Sequence, residues 1–421
     1  MMGLRCGFRR MAASAVVGTL LAGGLAAQVL AEEGASFPRI GCVYGIALHP
    51  DDDAGTYFNG APLTAEQIAR YDLILGVYGP WEDESSGPAL RERLARLRQA
   101  NPNVVIIGQQ VQVESAYADP AAAPKVLPWR KPPDDGWLTG VDGKRLPGGR
   151  TGTFLLNLRQ ESVLEWLTER CVAEVQERGY DGVLLGAMGP NFPDWTLSRI
   201  APGYTVDADG DTIADDLEDL HFLWQDAKRQ LCADVRDRLG HDVVIVAGGS
   251  PQNDYIWENF NGWSTGTPLL ELRRGNARWE YELGRYITWT EAPHSPHTTL
   301  WISVPDSTAP PESADDLKER MRFGLAATLM GDGYFAFVVQ GREEGWFPEF
   351  DVPLGQPLGP ALMHTGGAWH RKFEGGVAVV NPTAQPAPYA LDAEHRDIST
   401  GATGTEFTIQ PKDGRILVPV R

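Results

Sequence analysis

The sequence predicts an α/β fold: a (β/α)8 TIM barrel followed by a small antiparallel β domain. Four observations predict it. From residue 39 onward, short β-rich runs alternate with amphipathic helical runs. The β runs are apolar on both faces, as parallel strands covered by helices must be. Eight such units fill about 300 residues, which suits a closed barrel better than an open doubly wound sheet. After Asp351 the helical pattern stops, and strand-like runs separated by turn residues take over.

In order along the chain, strand 1 is read at 40–47, a short helix at 64–70 and strand 2 at 71–78. Leu90, Leu94 and Leu97 recur at helical spacing across 88–100, where Asn101-Pro102 stops the helix. Strand 3 is read at 104–108, before a Pro- and Gly-rich loop from about 113 to 158. Val163, Leu164, Leu167, Cys171 and Val175 form one face of a helix at 161–178 that Gly179 ends, and strand 4 follows at 180–185. The second half repeats the rhythm. A helix at 215–239 leads to strand 5 at 242–247, and 267–272 is read as a shorter strand 6. A helix at 277–286 precedes strand 7 at 299–304, and a helix at 314–330 precedes strand 8 at 333–339. The barrel is thus placed at 38–360 and a sandwich-like β domain at 366–421, with strands at 376–381, 406–409 and 415–420.

Residues 1–31 read as a signal peptide: Arg5, Arg9 and Arg10, then an uncharged run from Met11 to Ala27, then small residues up to Ala31. The expectation is a secreted or periplasmic protein with no membrane attachment after cleavage. The chain carries 37 basic and 56 acidic residues. That excess of negative charge argues against a nucleic-acid partner, whose phosphates it would repel. No Gly-rich phosphate fingerprint follows strand 1. Of the cysteines past the leader, Cys171 and Cys232 lie on helices, each ten residues before an Asp that opens the next strand. A disulfide and two buried free thiols are both open readings.

Several segments carry a family likeness: YDGVLL from Tyr180 to Leu185 after a helix ending in Gly, RFGLAA from Arg322 followed by GDGYF from Gly331, WFPEFDVPLG from Trp346, RKFEGGVAVVNP from Arg371, and GRIL from Gly414. In that order they resemble the hypothetical glycosyl hydrolase group of barrels, related to the polygalactosaminidase-like barrels, over roughly residues 60–420. The resemblance implies a glycoside hydrolase acting on a polysaccharide or oligosaccharide. It also exposes a departure. Where the group ends strand 4 in an acidic residue, this chain has Gly186. Asp181 does not replace it, because the start of a barrel strand is the stability face, where an acid caps backbone groups.

Glycoside hydrolysis needs two carboxyl groups across the scissile bond. In a barrel they belong at the C-terminal strand ends or in the loops beyond. The candidates are Glu271 on strand 6, Asp306 after strand 7, and Glu349 and Asp351 beyond strand 8. Glu114 and Asp194 are further loop acids. Aromatic rings serve sugars as stacking platforms, and among 13 Trp the candidates are Trp81, Trp195, Trp263 and Trp346.

The sharpest local motif is a calcium-type loop. Asp207, Asp209, Asp211, Asp215 and Glu218 stand at positions 1, 3, 5, 9 and 12 of a twelve-residue loop, with the Ile213 carbonyl at position 7. Thr212 departs from the Gly expected at position 6. The expected cofactor is structural Ca2+. Two functional expectations result: a two-carboxylate glycoside hydrolase, or, because of Gly186, a barrel that binds glycans without cleaving them. A structural cell-surface protein is a third reading.

Overall fold

The computed structural model describes residues 36–43, 55–56, 62–63, 68–76, 86–119, 131–189, 191–249, 258–338 and 346–420. The predicted signal peptide at 1–31 and Trp81 lie outside them. Eight parallel strands close into a barrel in chain order: β1 Ile40–Val43, β2 Leu73–Leu75, β3 Val105–Gln112, β4 Gly182–Gly186, β5 Val244–Gly248, β6 Gly262–Thr265, β7 Leu300–Ser303 and β8 Tyr334–Phe337. β8 pairs with β1 and completes the ring. Helices α1 Ser86–Ala100, α2 Glu161–Gln176, α3 Asp194–Ile200, α4 Leu217–Leu239, α5 Thr267–Arg274, α6 Trp279–Thr290 and α7 Ala314–Thr328 follow the same alternation.

Each strand has two buried faces, and this is why the strands read as apolar runs. The inner faces supply Val43, Leu73, Leu75, Ile107, Leu184, Val244, Val246, Leu300, Ile302, Tyr334, Ala336 and Val338, one packed plug of aliphatic and aromatic side chains. Outward residues such as Val183, Leu185, Ile245 and Trp263 pack with the helices. The barrel is therefore a filled core, and a site can only be built above it.

Polar side chains pin the N-terminal strand ends. Asp181 accepts the Ile106 amide at 2.8 Å and pairs with Arg98 at 2.8 Å. Asp72 accepts the Ile40 amide at 2.7 Å. Asp181 thus does the capping work that its place at the strand start implied. α7 begins with a reciprocal cap between Ser313 and Asp316, two orphan amides satisfied at once.

Strand 6 corrects the sequence reading. Residues 267–272 belong to α5, and β6 lies earlier, at Gly262–Thr265. The helix signals are local: Pro268 in the first turn, Leu269 and Leu272 buried three apart, and Gly275 left-handed at the C-cap. β6 was hard to see because its neighbour Asn261 and its own Ser264 and Thr265 dilute the apolar run. Asn261 is nonetheless buried, accepting from Ile245 N at 2.9 Å and from Arg236 Nη2 at 2.9 Å.

Residues 346–354 run down the outside of the barrel. Phe347 packs edge-on against Phe337, and Phe350 against Phe335. Leu354 N then donates to Phe37 O at 2.9 Å, just before β1. The C-terminal strands are β9 Leu362–Met363, β10 Trp369–Phe373, β11 Gly376–Asn381, β12 Ala387–Asp397, β13 Thr403–Ile409 and β14 Asp413–Pro419, joined in one sheet in the order β9-β10-β11-β14-β12-β13. β12 pairs with β13 on both sides of a register shift between Ala390 and His395, and its residues His395, Arg396 and Asp397 also pair with β14. One side of the sheet gathers Val377, Val379, Ala387, Tyr389, Ile409 and Leu417. The other presents Ala378, Val380 and Ile416 to the barrel core. Contact with α7 is close: a Cβ on Gly414 would stand 2.5 Å from the Arg322 carbonyl oxygen. Arg322 also grips the buried Asp413 through two bonds of 2.8 and 2.9 Å.

Candidate functional site at the barrel mouth

β3 runs four residues past the predicted end at Gly108. Between Ile107 and Gln110 it holds one residue more than β4 does between Gly182 and Leu184, a bulge. Beyond it, Gln110 and Gln112 pair with Leu184 and Gly186. Leu184 belongs to the inner plug, so Gln110 shares its inward face. Gln112 Nε2 donates to Gln110 Oε1 at 3.0 Å. The plug is thus topped on this side by two linked carboxamides. Sequence reasoning passed over them by ending strand 3 at the first polar residue. The two-residue alternation of Gln110, Val111, Gln112 and Val113 was the available signal.

Gln110 also explains Gly186. A Cβ on Gly186 would lie 2.5 Å from Gln110 Nε2 and 2.8 Å from its Cγ, and one on Gly248 would lie 2.9 Å from Nε2. The space above the ends of β4 and β5 is filled by the Gln110 side chain. Just past Gly186 the backbone turns left-handed at Ala187, with φ 60°. That conformation is costly for a residue with a Cβ and persists only where the surroundings enforce it. Here Met188 N is held by Gly248 O at 3.0 Å.

Glu114, two residues beyond β3, pairs with Lys228 of α4 at 2.6 Å. Lys228 is fully buried and also donates to Gly189 O at 2.6 Å, tying the β3 and β4 loops to α4. Burial pushes the Glu114 carboxyl above its usual range, and the ammonium pulls it back.

Of the four sequence-predicted acids, the structure brings only Glu271 and Asp306 together. Glu271, expected on strand 6, stands on α5, where Arg274 and Asn276 donate to its two oxygens at 2.8 and 2.9 Å. Asp306 does follow β7, and the same Arg274 grips it. Thr308 adds its amide at 2.9 Å and its hydroxyl at 2.7 Å. Hydrogen bonds from Asn276 and Arg274 hold Glu271 below the usual carboxylate range, and those from Arg274 and Thr308 hold Asp306 well below it. Both stay charged, which suits a base or an anchor and not a proton donor. Glu349 and Asp351 lie on the descending segment. Glu349, 5% exposed, accepts from Ser399 Oγ of the β sheet at 2.7 Å. Asp351 binds Arg70, just before β2, at 2.9 Å. They face the outer wall and foot of the barrel, where Phe347 and Phe350 hold the segment against Phe337 and Phe335. Asp194 opens α3.

The tryptophans separate likewise. Trp263 is fully buried, packs on Trp289 and donates to Gly249 O at 2.6 Å, so it is core. Trp346 is covered by Arg70 at 3.9 Å and by the edge of Tyr71. Trp195 on α3, in the loop region after β4, is 67% exposed, with Arg199 over its ring at 4.6 Å.

In the acidic loop, the carboxylates of Asp207, Asp209 and Asp211 offer oxygens within 4.8 Å of one another. Asp207 accepts the amides of Gly210, Asp211 and Thr212 at 2.8, 3.1 and 3.0 Å. Asp215 instead accepts the Ala208 amide at 2.6 Å, and Glu218 lies in the first turn of α4 outside the trio. Thr212 adopts the left-handed φ of 67° that position 6 requires. Cys171 and Cys232 are free and buried on α2 and α4. Burial pushes the Cys171 thiol up to about 12 and raises Cys232, with Cys171 nearby adding to it.

Together these features define a glycoside-hydrolase-type (β/α)8 barrel with a C-terminal β sheet, its mouth floored by carboxamides. The sequence profile of hypothetical glycosyl hydrolase family 15 matches residues 112–377, more than half of the chain, and the protein belongs to that family. No curated protein matches it. Among solved structures, an α-amylase from Lactobacillus plantarum is similar at 8% identity and TM-score 0.53, covering 91% of this chain and 99% of that one. An α-amylase from Malbranchea cinnamomea is similar at 10% identity and TM-score 0.52, over 90% and 96% of the two chains. A noncanonic maltogenic α-amylase from Thermotoga neapolitana is similar at 8% identity and TM-score 0.50, over 85% and 93%. At such identities the likeness is one of fold.

Proposed function

We propose that the protein is an extracytoplasmic glycoside hydrolase that takes a polysaccharide or oligosaccharide at the barrel mouth. The observation that carries this is the polar floor: Gln110 and Gln112, linked to each other above an aliphatic plug, in a family of hydrolase barrels. Carboxamides offer both donors and acceptors, the chemistry that reads sugar hydroxyls. Trp195 is the exposed ring suited to stack a sugar face. Asp306 is the candidate carboxylate retained at a strand end, kept charged by Arg274 as base, nucleophile or electrostatic stabiliser. Glu271 is held charged, and Glu349 and Asp351 stand away from the mouth, so none of the three is placed as its general-acid partner. Release of reducing ends from a panel of glycans tests the reading. Turnover by the native chain that Asp306→Asn abolishes supports it, and no cleavage of any glycan overturns it.

A specific observation favours the second reading, a barrel that binds glycans without cleaving them. Gln110 fills the space that an acid at the end of β4 would occupy. Saturable binding without product across the panel selects this reading.

We also infer a structural Ca2+ held by Asp207, Asp209 and Asp211, with the Ile213 carbonyl, Asp215 and Glu218 as the remaining ligands of the loop pattern. The convergence of three carboxylates and the left-handed Thr212 support it. The leader at 1–31 supports export.

A further inference from the structure

A cleft of about 310 Å3 opens on the outer wall of the barrel, between α5 and α6. Pro268 and Glu271 of α5, Asn276 of the connecting turn, and Tyr281, Glu282 and Arg285 of α6 line it. Behind Arg285 stands the outward side chain of Trp263 on β6. The Arg285 guanidinium lies 4.9 Å from the ring centre of Trp263, whose side chain leaves the barrel outward into the helix layer. The cleft thus lies in the helix layer outside the barrel, beside the Glu271–Arg274–Asp306 cluster.

The lining is unusual for a helix–helix groove. Tyr281 is 58% exposed, an aromatic face that the fold leaves in water. The charged groups around it are fixed before any ligand arrives. Arg274 and Asn276 hold Glu271, Arg285 holds Glu282 at 3.2 Å, and Arg285 is itself stacked between the rings of Trp263 and Tyr281. An aromatic face ringed by immobilised carboxylate, amide and guanidinium groups matches a sugar, which offers an apolar face and a rim of hydroxyls. The lining carries two carboxylates, Glu271 and Glu282, and two guanidinium groups, Arg278 and Arg285, a balance that favours a neutral sugar over an anionic one. The volume admits one or two sugar rings, not a long chain.

We propose that this cleft is an accessory site that holds a neutral sugar unit of a polysaccharide on the barrel flank, stacked on Tyr281 and hydrogen-bonded by Glu271, Asn276, Glu282 and Arg285. The proposal rests on the reading of the protein as one that acts on glycans. It adds a second point of attachment, which raises the local concentration of a polymer at the mouth through multivalency.

The test is affinity electrophoresis of the full chain in native gels containing amylopectin, xylan, galactomannan or glycol chitin. At least one polymer should retard the native chain. In that gel Tyr281→Ala should raise the dissociation constant about tenfold, the worth of one stacked ring. Tyr281→Phe, which keeps the ring, should bind as the native chain does. Native-like retardation of Tyr281→Ala in every gel overturns the proposal, as does a native chain that no polymer slows. Reducing-end release by the native chain, measured on the same polymers, judges the hydrolase reading separately. Cleavage with unaltered Tyr281→Ala binding removes the flank site alone.

Discussion

Gln110 lies across Gly186 so closely that a Cβ there would meet the Gln110 side chain at 2.5 to 2.8 Å along three of its atoms. The contact reaches back to Cγ, so rotating only the amide tip does not relieve it. Gly186→Ala should therefore destabilise the chain by about 1–3 kcal/mol, the usual cost of overpacking a fitted site. Gln110→Ala should absorb most of that loss in the double variant, giving a coupling that denaturant titration of the four proteins reads directly. Additive effects would show that the two residues do not compete for the same space.

Arg274 holds Glu271 and Asp306 together, and the consequence is visible in pH. The folded Asp306 titrates below its unfolded value because Arg274 and Thr308 donate to it. A depressed carboxylate contributes stability that is fully present above the unfolded value, about 3.9, and that is lost as pH falls toward the folded one. Glu271 adds a contribution of the same sign. The melting temperature of Asp306→Asn should therefore lie below that of the native chain at pH 6, and the gap should shrink steadily as pH drops below about 4. A gap independent of pH would remove the ion pair from the account.

The acidic loop predicts a metal dependence. Calcium at about a hundredfold above its dissociation constant should stabilise the chain by ~2.7 kcal/mol, seen as a rise in melting temperature that a chelator reverses. Asp211→Asn should weaken the effect by removing one of the three converging carboxylates. Identical melting in calcium and in chelator would exclude the site.

Arg322 and Asp413 weld the barrel to the β sheet. Asp413 is buried and also binds Arg415. Arg322→Ala leaves it with Arg415 and the Gly414 amide, so a loss of about 3 kcal/mol is expected. Because the sheet packs on α7 along its length, the native chain should melt in one calorimetric transition. A separate early transition of the β sheet would contradict this packing.

Cys171 and Cys232 should resist thiol reagents in the folded protein. Burial, which pushes Cys171 up to about 12, removes both the thiolate and the access that reaction requires. Alkylation followed by mass mapping should mark them only after denaturation. Modification of either under native conditions would show that α2 and α4 open locally.

Much of the barrel was legible because a filled parallel barrel writes a simple code. β4 and β5 are apolar on both faces, and Gly179 and Gly240 close the helices before them. The β6 region failed because Asn261 is a buried polar residue whose needs are met by Arg236, twenty-five positions away. No local pattern announces such a partner. β3 was cut short at its first polar residues although the alternation from Gln110 to Val113 marks a strand; only the end of β4 beside them decides what Gln110 and Gln112 contact.

The sequence by itself determined the alternation of strands and helices, the change to a β domain, and the spacing of acids in the loop from Asp207. These are local properties, set by side-chain periodicity and backbone preference within a few residues. Only the tertiary structure decided what those acids do. Glu271 and Asp306 become one charged cluster because Arg274 stands between them. Glu349 and Asp351 leave the mouth because Phe347 and Phe350 bury themselves on the outer face of β8. Gly186 changes meaning most. In the chain it is a missing acid; in the fold it is the space that Gln110 fills. The physical reason is the same throughout: the charge state and direction of a side chain are set by partners that closure of the barrel brings together.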